Sequence, residues 1–518
     1  MLHSWLLRPD WLRIGALLGS VTAPAFATPA FAVPPLPSSA LATPSGPRLT
    51  GLAVAGSSIT PQLEAAARPF LGHSPDAARL EQLARILDAT YARSDVAIYV
   101  IDLQGLDPQG RLRVKVREGQ VQRLRFTGSE DGIARRVRAI AALLERGDGA
   151  LSRRQLDRVL RLVQAIPGAR VEATMVAGTK PGGLEIHFHV AGDLHRFGLL
   201  LHNDGQALTG RAQAQATAQS NSVLRRGDQM TVQGMRGLDG QVWTMVAAYA
   251  LPLGSQGAGV DLFAAASGSE LAAYRLSSGA DGLGIGLAYP LLVDKEDWIT
   301  TSFNISRQSS GSHFFGYRLY REITTSLSAA LRWQRDTPRT VSSLQVKATR
   351  SAPFAPVRIS AQMAARHFTK IEVQASHDRM IGRSAALRLR AHGQYSPDPL
   401  TQADGMALGG TNFGRAYDPA TLVGDSALAG SAELLWSAAS GKGRDIQFYG
   451  ALDAARAYYN ERPLYRSGRF DLASAGAGVR VQQGRVNLDL SAHRALLAPY
   501  PGYDDQWRVR VNVGLTLP

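Results

Sequence analysis

From His195 to the C-terminus, apolar and polar residues alternate with a period of two, the signature of strands that bury one face. Ile323, Thr325, Leu327, Ala329, Leu331 and Trp333 share one face of their segment, and Thr324, Ser326, Ser328, Ala330 and Arg332 the other. Val486, Leu488, Leu490 and Ala492 likewise oppose Asn487, Asp489, Ser491 and His493. In the last segment Trp507, Val509, Val511, Val513, Leu515 and Leu517 oppose Arg508, Arg510, Asn512, Gly514 and Thr516. Such runs of about 9–12 residues exceed the usual strand of a sandwich and match the length that crosses a bilayer at a tilt. At roughly 20 residues per strand and connection, residues 193–518 hold about 16 strands, an even number as in bacterial outer-membrane barrels. Closure leaves no unpaired edge in lipid. The pattern predicts a transmembrane β-barrel with an apolar exterior and a polar lumen.

Residues 49–192 carry helical spacing between strand-like segments, in the order β-α-α-β-β, twice over. In the first half Thr60 is placed to cap a helix opened by Pro61, where a missing N–H costs nothing. Leu80, Leu83, Leu87 and Tyr91 form the apolar face of a second helix. Leu112, Val114 and Val116 then alternate with Arg111, Arg113, Lys115 and Arg117 in a closing strand. In the second half Ile133, Val137, Ile140 and Leu144 mark one helix, and Ser152 with Gln155 reads as a capping box opening another through Leu156, Val159 and Val163. The expected fold class is mixed: two small α+β domains, over 49–119 and 120–192, followed by an antiparallel transmembrane barrel over 193–518. His187 and His189 share one face of a strand opposite Ile186, Phe188 and Val190. With no third ligand nearby they read as an exposed polar face, and no metal is expected.

The N-terminus sets the compartment. Arg8 and Arg13 flank an apolar run from Ile14, and A-x-A sites end at Ala27 and Ala32, so residues 1–32 read as a cleavable secretory signal peptide. Residues 33–48 are rich in Pro and Ser and read as a linker. Export argues against nucleic acid as a partner despite a formal net charge of +15. The basic residues have another place to go. Arg332, Lys347, Arg388, Arg390, Arg508 and Arg510 all fall on the inward register of their strands, which predicts a basic lumen favouring anions or acidic polypeptide. Cysteine is absent, so thiolate chemistry and disulfides are excluded. Neither a phosphate-binding loop, a nucleophile elbow nor a metal-ligand spacing occurs, so no cofactor and no catalytic residue is expected, and the chain does not read as an enzyme. The glycines of Gly282–Pro290 alternate as in a strand, with no helix behind them.

One connection departs from the barrel rhythm. Residues 404–426 place Gly409, Gly410, Gly414 and Gly424 around Phe413, Arg415, Tyr417, Asp418 and Asp425. This is far longer than a hairpin turn, and long ordered loops are usually functional. The glycines suit backbone threaded through a crowded space, and Arg415 offers a planar fork for a carboxylate.

Together, the signal peptide, the two β-α-α-β-β units and the barrel resemble the two-partner secretion transporters of the Omp85 superfamily, the haemolysin secretion/activation type, whose front units are POTRA domains. The segment 162–190, with its Pro-Gly turn before a closing hairpin, is similar to the second of these. Residues 409–434 resemble the sixth extracellular loop, which folds back into the lumen. Arg415 and Tyr417 take the places of that loop's Arg-Gly-aromatic core, while Ala416 stands where Gly is usual, which puts the tightness of the tip in question. Phe448–Tyr458 is similar to the strand motif whose acid meets that arginine, with Asp453 as the acid. Five candidate strands follow the loop, around 427–438, 446–459, 471–483, 485–496 and 507–517. They put the loop between strands 11 and 12 of a 16-stranded barrel and Asp453 on strand 13.

The resemblance implies an outer-membrane transporter that captures an unfolded exoprotein in the periplasm through its POTRA domains and exports it through the barrel without ATP. Its implied partners are that exoprotein, outer-membrane lipid and, during biogenesis, the barrel-assembly machinery. The alternative is an outer-membrane insertase, whose relatives usually carry three or more POTRA units where two fit here. A passive porin would not need the front domains. Two departures stand out: the short linker leaves little room for a plug helix, and Pro518 takes the place of a terminal aromatic.

Overall fold

The structure is a computed structural model that describes residues 48–146, 149–352, 364–441, 443–463, 466–503 and 506–517. The expected signal peptide, nearly all of the linker and Pro518 lie outside the described residues. The chain divides into two compact units, one holding the front domains and the other the barrel.

The first front domain runs β1 (Gly51–Ala55), α1 (Thr60–Ala67), α2 (Ala77–Arg93), β2 (Tyr99–Leu106) and β3 (Arg111–Glu118). Its sheet has the order β1-β3-β2, with β1 parallel and β2 antiparallel to β3. The alternation in β3 works as its sequence suggests: Leu112, Val114 and Val116 are buried against Leu63, Leu83, Leu87 and Tyr91 of the two helices. Thr60 is the first helical residue rather than the cap, which is Ile59. The Thr60 hydroxyl instead donates back to the carbonyl of Ser57 at 3.2 Å. Asp76 caps α2, its side chain accepting from Arg79 N at 2.8 Å.

The second front domain repeats the plan with β4 (Gln120–Gly128), α3 (Gly132–Ala141), α4 (Arg153–Gln164), β5 (Ala169–Ala177) and β6 (Gly183–Gly192), ordered β4-β6-β5. Ile133, Val137, Ile140, Val159 and Val163 of its helices and Ile186, Phe188 and Val190 of β6 are all buried. Only half of the expected capping box forms. Ser152 accepts from Gln155 N at 3.2 Å, but the Gln155 amide turns away to donate to Leu143 O at 2.6 Å. The neighbouring domain supplies the missing partner: Asp95 accepts from Ser152 Oγ and Arg154 N, at 2.7 and 3.0 Å. His187 and His189 lie on the outer face of β6, within 3.4 Å of Glu185 and 3.2 Å of Thr127 respectively.

The barrel strands are β7 (His195–His202), β8 (Gln213–Asn221), β9 (Gln229–Gly237), β10 (Val242–Leu253), β11 (Ala258–Leu271), β12 (Leu276–Val293), β13 (Asp297–Phe314) and β14 (Tyr317–Asp336). They continue with β15 (Thr340–Ser351), β16 (Thr369–Ile381) and β17 (Ala385–Tyr395). A short hairpin, β18 (Met406–Leu408) and β19 (Leu422–Gly424), interrupts the series. It ends with β20 (Ser426–Gly441), β21 (Arg444–Tyr459), β22 (Gly468–Gln483), β23 (Val486–Ala495) and β24 (Trp507–Leu517). Among the described residues, sixteen strands (β7–β17 and β20–β24) form one closed barrel, sealed by antiparallel pairing of β24 with β7 from Asn512↔His202 to Leu517↔Phe197. The longest strands, β12 to β14, run 18–20 residues, beyond the 9–12 expected from local alternation.

Burial is inverted relative to a water-soluble protein. Leu331, Leu344, Val346, Phe448 and Val509 face outward and are exposed, whereas Gln345, Lys347, Thr349, Ser474 and Arg508 face inward and are buried. Lipid is the solvent such a surface is built for.

Candidate functional site

The connection between β17 and β20 runs from the eleventh to the twelfth barrel strand and carries the β18/β19 hairpin. It packs against the inner wall. Met406, Leu408, Phe413, Ala416, Tyr417 and Leu422 of the loop are buried with Ala427, Ala429, Ala455, Ala457 and Leu472 of β20, β21 and β22. Four of these five wall residues are alanines, so the wall is thin where the loop lies. At Gly424 the approach is close: an added Cβ would sit 3.0 Å from the Ala457 methyl and 2.6 Å from Ser426 O.

The tip is a knot of backbone bonds. Gly409 N donates to Phe413 O at 2.8 Å, and Gly410 N is shared between the carbonyls of Gly414 and Tyr417, each at 3.1 Å. Gly409, Gly410 and Gly414 take φ of +100°, +82° and +91°, a region closed to most side chains. Ala416 is not among the residues with positive φ and is fully buried. The tight turning falls on its neighbours, so the methyl group is accommodated and the tip stays compact.

Arg415 points into the wall with its side chain 5 % exposed. One guanidinium nitrogen lies 2.8 Å from Glu433 and 3.1 Å from Ser431 Oγ, both on β20. The other is 3.6 Å from Asp453 on β21, the thirteenth barrel strand. Asp453 also accepts from the Arg415 backbone N–H at 3.0 Å and from Ser474 Oγ at 3.1 Å. Arg415 does meet Asp453, but its fork is split between two acids, and the closer is Glu433. Glu433 is a hub, lying 3.3 Å from Arg388 and 3.2 Å from Arg480 as well. Sequence reasoning passed over Glu433, although its register, two residues beyond Ser431 on the inward face of β20, would have found it.

The other expected loop residues are fastened separately. The Tyr417 hydroxyl lies 2.7 Å from Ala473 O and 2.6 Å from Leu497 O. Phe413 packs beside His392 of β17. Asp418 accepts from Arg211 at 2.9 Å, from Ala207 N at 2.8 Å, and from Arg508 of the last strand. Asp425 holds the base of the loop: it accepts from Leu400 N and Asn460 N, each at 2.7 Å, and takes Arg462 bidentately at 2.8 and 2.9 Å. Arg462 was not anticipated from sequence, because it lies in the next connection.

The six basic residues all stand on the inward register, as expected of a basic lining, and four of them meet acids. Lys347 meets Glu372 at 2.8 Å, Arg388 meets Asp378 and Glu433 at 3.3 Å, Arg510 meets Asp204 at 2.6 Å, and Arg508 meets Asp418. Arg332 stands between Thr300 and Gln345, and Arg390 between Ser376 and Ser431. Buried cations are retained where acids reach them from neighbouring strands, and alternation along one strand does not reveal those partners.

A closed barrel with an arginine-bearing loop locked to its inner wall is a specific arrangement, and the family comparison agrees with it: the description "Haemolysin secretion/activation protein ShlB/FhaC/HecB" matches residues 185–481. The chain belongs to this haemolysin secretion/activation family. It is an outer-membrane β-barrel of the two-partner secretion class. Among solved structures, CdiB from Escherichia coli aligns with a TM-score of 0.77 at 20% identity, over 93% of each chain. CdiB from Acinetobacter baumannii aligns with a TM-score of 0.67 at 16% identity, over 92% of this chain and 91% of that one. BamA from Haemophilus ducreyi lacking POTRA domains 1-3 gives a TM-score of 0.52 at 12% identity, over 91% of this chain and 100% of that one. Comparison with curated protein sequences returned no match. In this family member, then, Arg415 of the loop meets Glu433 and Asp453 of the wall, and Asp418 and Asp425 make further ties to the barrel and its connections.

Proposed function

We propose that this chain captures one unfolded exoprotein in the periplasm and passes it outward through the barrel without ATP. The observation that carries this reading is the loop occupying the lumen of a closed barrel, held by buried ion pairs at its tip and base. Such ties are strong while intact but exchangeable, because a passing chain can displace the loop without breaking covalent structure. The front domains support capture. Each three-stranded sheet has edge strands, β5 among them, and an extended segment can add to such an edge through main-chain hydrogen bonds. No step calls for a nucleotide: the chain carries no phosphate-binding loop of the common kind. Outer-membrane lipid surrounds the apolar exterior, and the barrel-assembly machinery inserts it.

The test is a comparison of secreted and outer-membrane proteins with and without the gene. Loss of one or two secreted proteins, with other barrels unchanged, is the expected result and names the cargo. A broad fall in outer-membrane barrels would make the chain an assembly factor instead.

A further inference from the structure

The barrel's lipid-facing surface carries cations that none of the loop or lumen contacts uses. β13 and β15 flank β14, and the registers place Arg307 opposite Thr325 and Arg350 opposite Leu327. Both arginines are exposed, on the same outward faces as Phe303, Ile305, Leu344 and Val346. Arg321 adds a third on the outward register of β14, opposite Gly311. Among the described residues none of the three is in an ion pair or a side-chain hydrogen bond, in contrast to the paired lumen cations. Asp281, outward on β12, forms no ion pair with them.

Their height on the wall is set by topology. The chain enters β7 from the periplasmic domains, so odd-numbered strands from β7 to β17 run outward. Arg350 is the penultimate residue of β15, and Arg307 lies in the outer half of β13. Both therefore sit toward the outer leaflet, at the end that carries the long loop. Beside Arg350 and below Arg307 the outer wall is hollowed into an open groove of about 610 Å³, lined by Ile285, Leu287, Phe303, Ile305 and Leu327, with Arg350 on the same register line as Ile305 and Leu327. A guanidinium on a lipid-facing strand is costly in mid-bilayer and tolerated near the interface, where its stem lies along apolar surface and its head meets a charged headgroup.

We infer that this groove binds a phosphorylated, multiply acylated lipid of the outer leaflet. Arg307 and Arg350 take its phosphates, and an acyl chain fills the hollow below. Two strand spacings across the sheet and a two-residue offset along it separate the Arg307 and Arg350 positions, about 12 Å in all. That distance suits a headgroup bearing two phosphates, and planar guanidinium forks match phosphate oxygens bidentately. The inference deepens the reading of the chain as an outer-membrane barrel and specifies which lipid it prefers.

The experiment places the full chain in phosphatidylcholine nanodiscs and follows thermal unfolding with no addition, with lipid A, or with lipid A stripped of phosphate. Lipid A is expected to raise the wild-type midpoint by roughly 4 °C, and the stripped lipid by less than half as much. Arg307→Ser/Arg350→Ser loses the phosphate-dependent increment while keeping the wild-type midpoint in phosphatidylcholine alone. Arg307→Lys/Arg350→Lys retains part of it. Equal increments from both lipids on the wild type, or a full increment in the serine variant, would overturn the proposal. If the serine pair does not fold, the single variant Arg350→Ser and the wild-type comparison of the two lipids decide it. None of these readouts involves export, so a negative result leaves the transport reading standing.

Discussion

Arg415 has two acids within reach, and its own backbone N–H holds one of them. That arrangement fixes the loop tip to the inner wall rather than leaving a side chain dangling toward it. Arg415→Ala is expected to leave a folded barrel, judged by heat-modifiable gel mobility, while export of the cognate protein falls to background. Normal export at normal barrel levels would refute the anchor. Glu433→Ala leaves three arginines facing a lost partner in a buried site, and removing one member of a buried pair costs about 3–5 kcal/mol. The expected readout is a loop that becomes cleavable by external protease, together with a lower unfolding temperature. Gly409→Val tests the backbone. At φ +100° an added Cβ would meet Asp418 O at 2.3 Å, and strain on the order of 1–3 kcal/mol should release the tip much as Arg415→Ala does. Arg415, Tyr417 and Asp453 were legible as a motif. Glu433 was not, because its role depends on three arginines arriving from three other segments.

At the scale of elements, the loop is fixed at two places by different means. Its tip is held by the wall of β20 and β21, and its base by Arg462 from the connection after β21. Arg462→Ala should leave tip contacts intact and loosen only the base, so open-channel events in planar bilayers should become more frequent while export is reduced only partly. If Arg462→Ala and Arg415→Ala prove indistinguishable in both assays, the two-point description is wrong. The front domains show the same interdependence. α4 is capped by its own Ser152 together with Asp95 of the preceding domain, and Val96 bridges to Ser152. Local spacing revealed α4 and its cap, yet could not show that the helix leans on a neighbour sixty residues earlier. Thr60 was misassigned for a related reason: Ser57 and Ile59 shape the turn, and the threonine enters the helix itself.

For the whole molecule, the barrel and the front domains form separate compact units, so each should survive without the other. Deleting residues 49–192 is expected to give a heat-modifiable barrel in the outer membrane that exports nothing. Retained export would remove the front domains from the capture step. The hydrophobic pattern alone determined that the chain closes into a barrel of about 16 strands, because a period of two with an apolar outer face has no other stable solution in lipid. It likewise determined the two β-α-α-β-β layouts, since switches between periods of two and 3.6 are local properties. Charge compensation, the identity of the anchor's nearer acid and the grip on the loop base were decided only in three dimensions. Each is a contact between side chains on different strands or connections, and its energy depends on a distance that no spacing along the chain encodes.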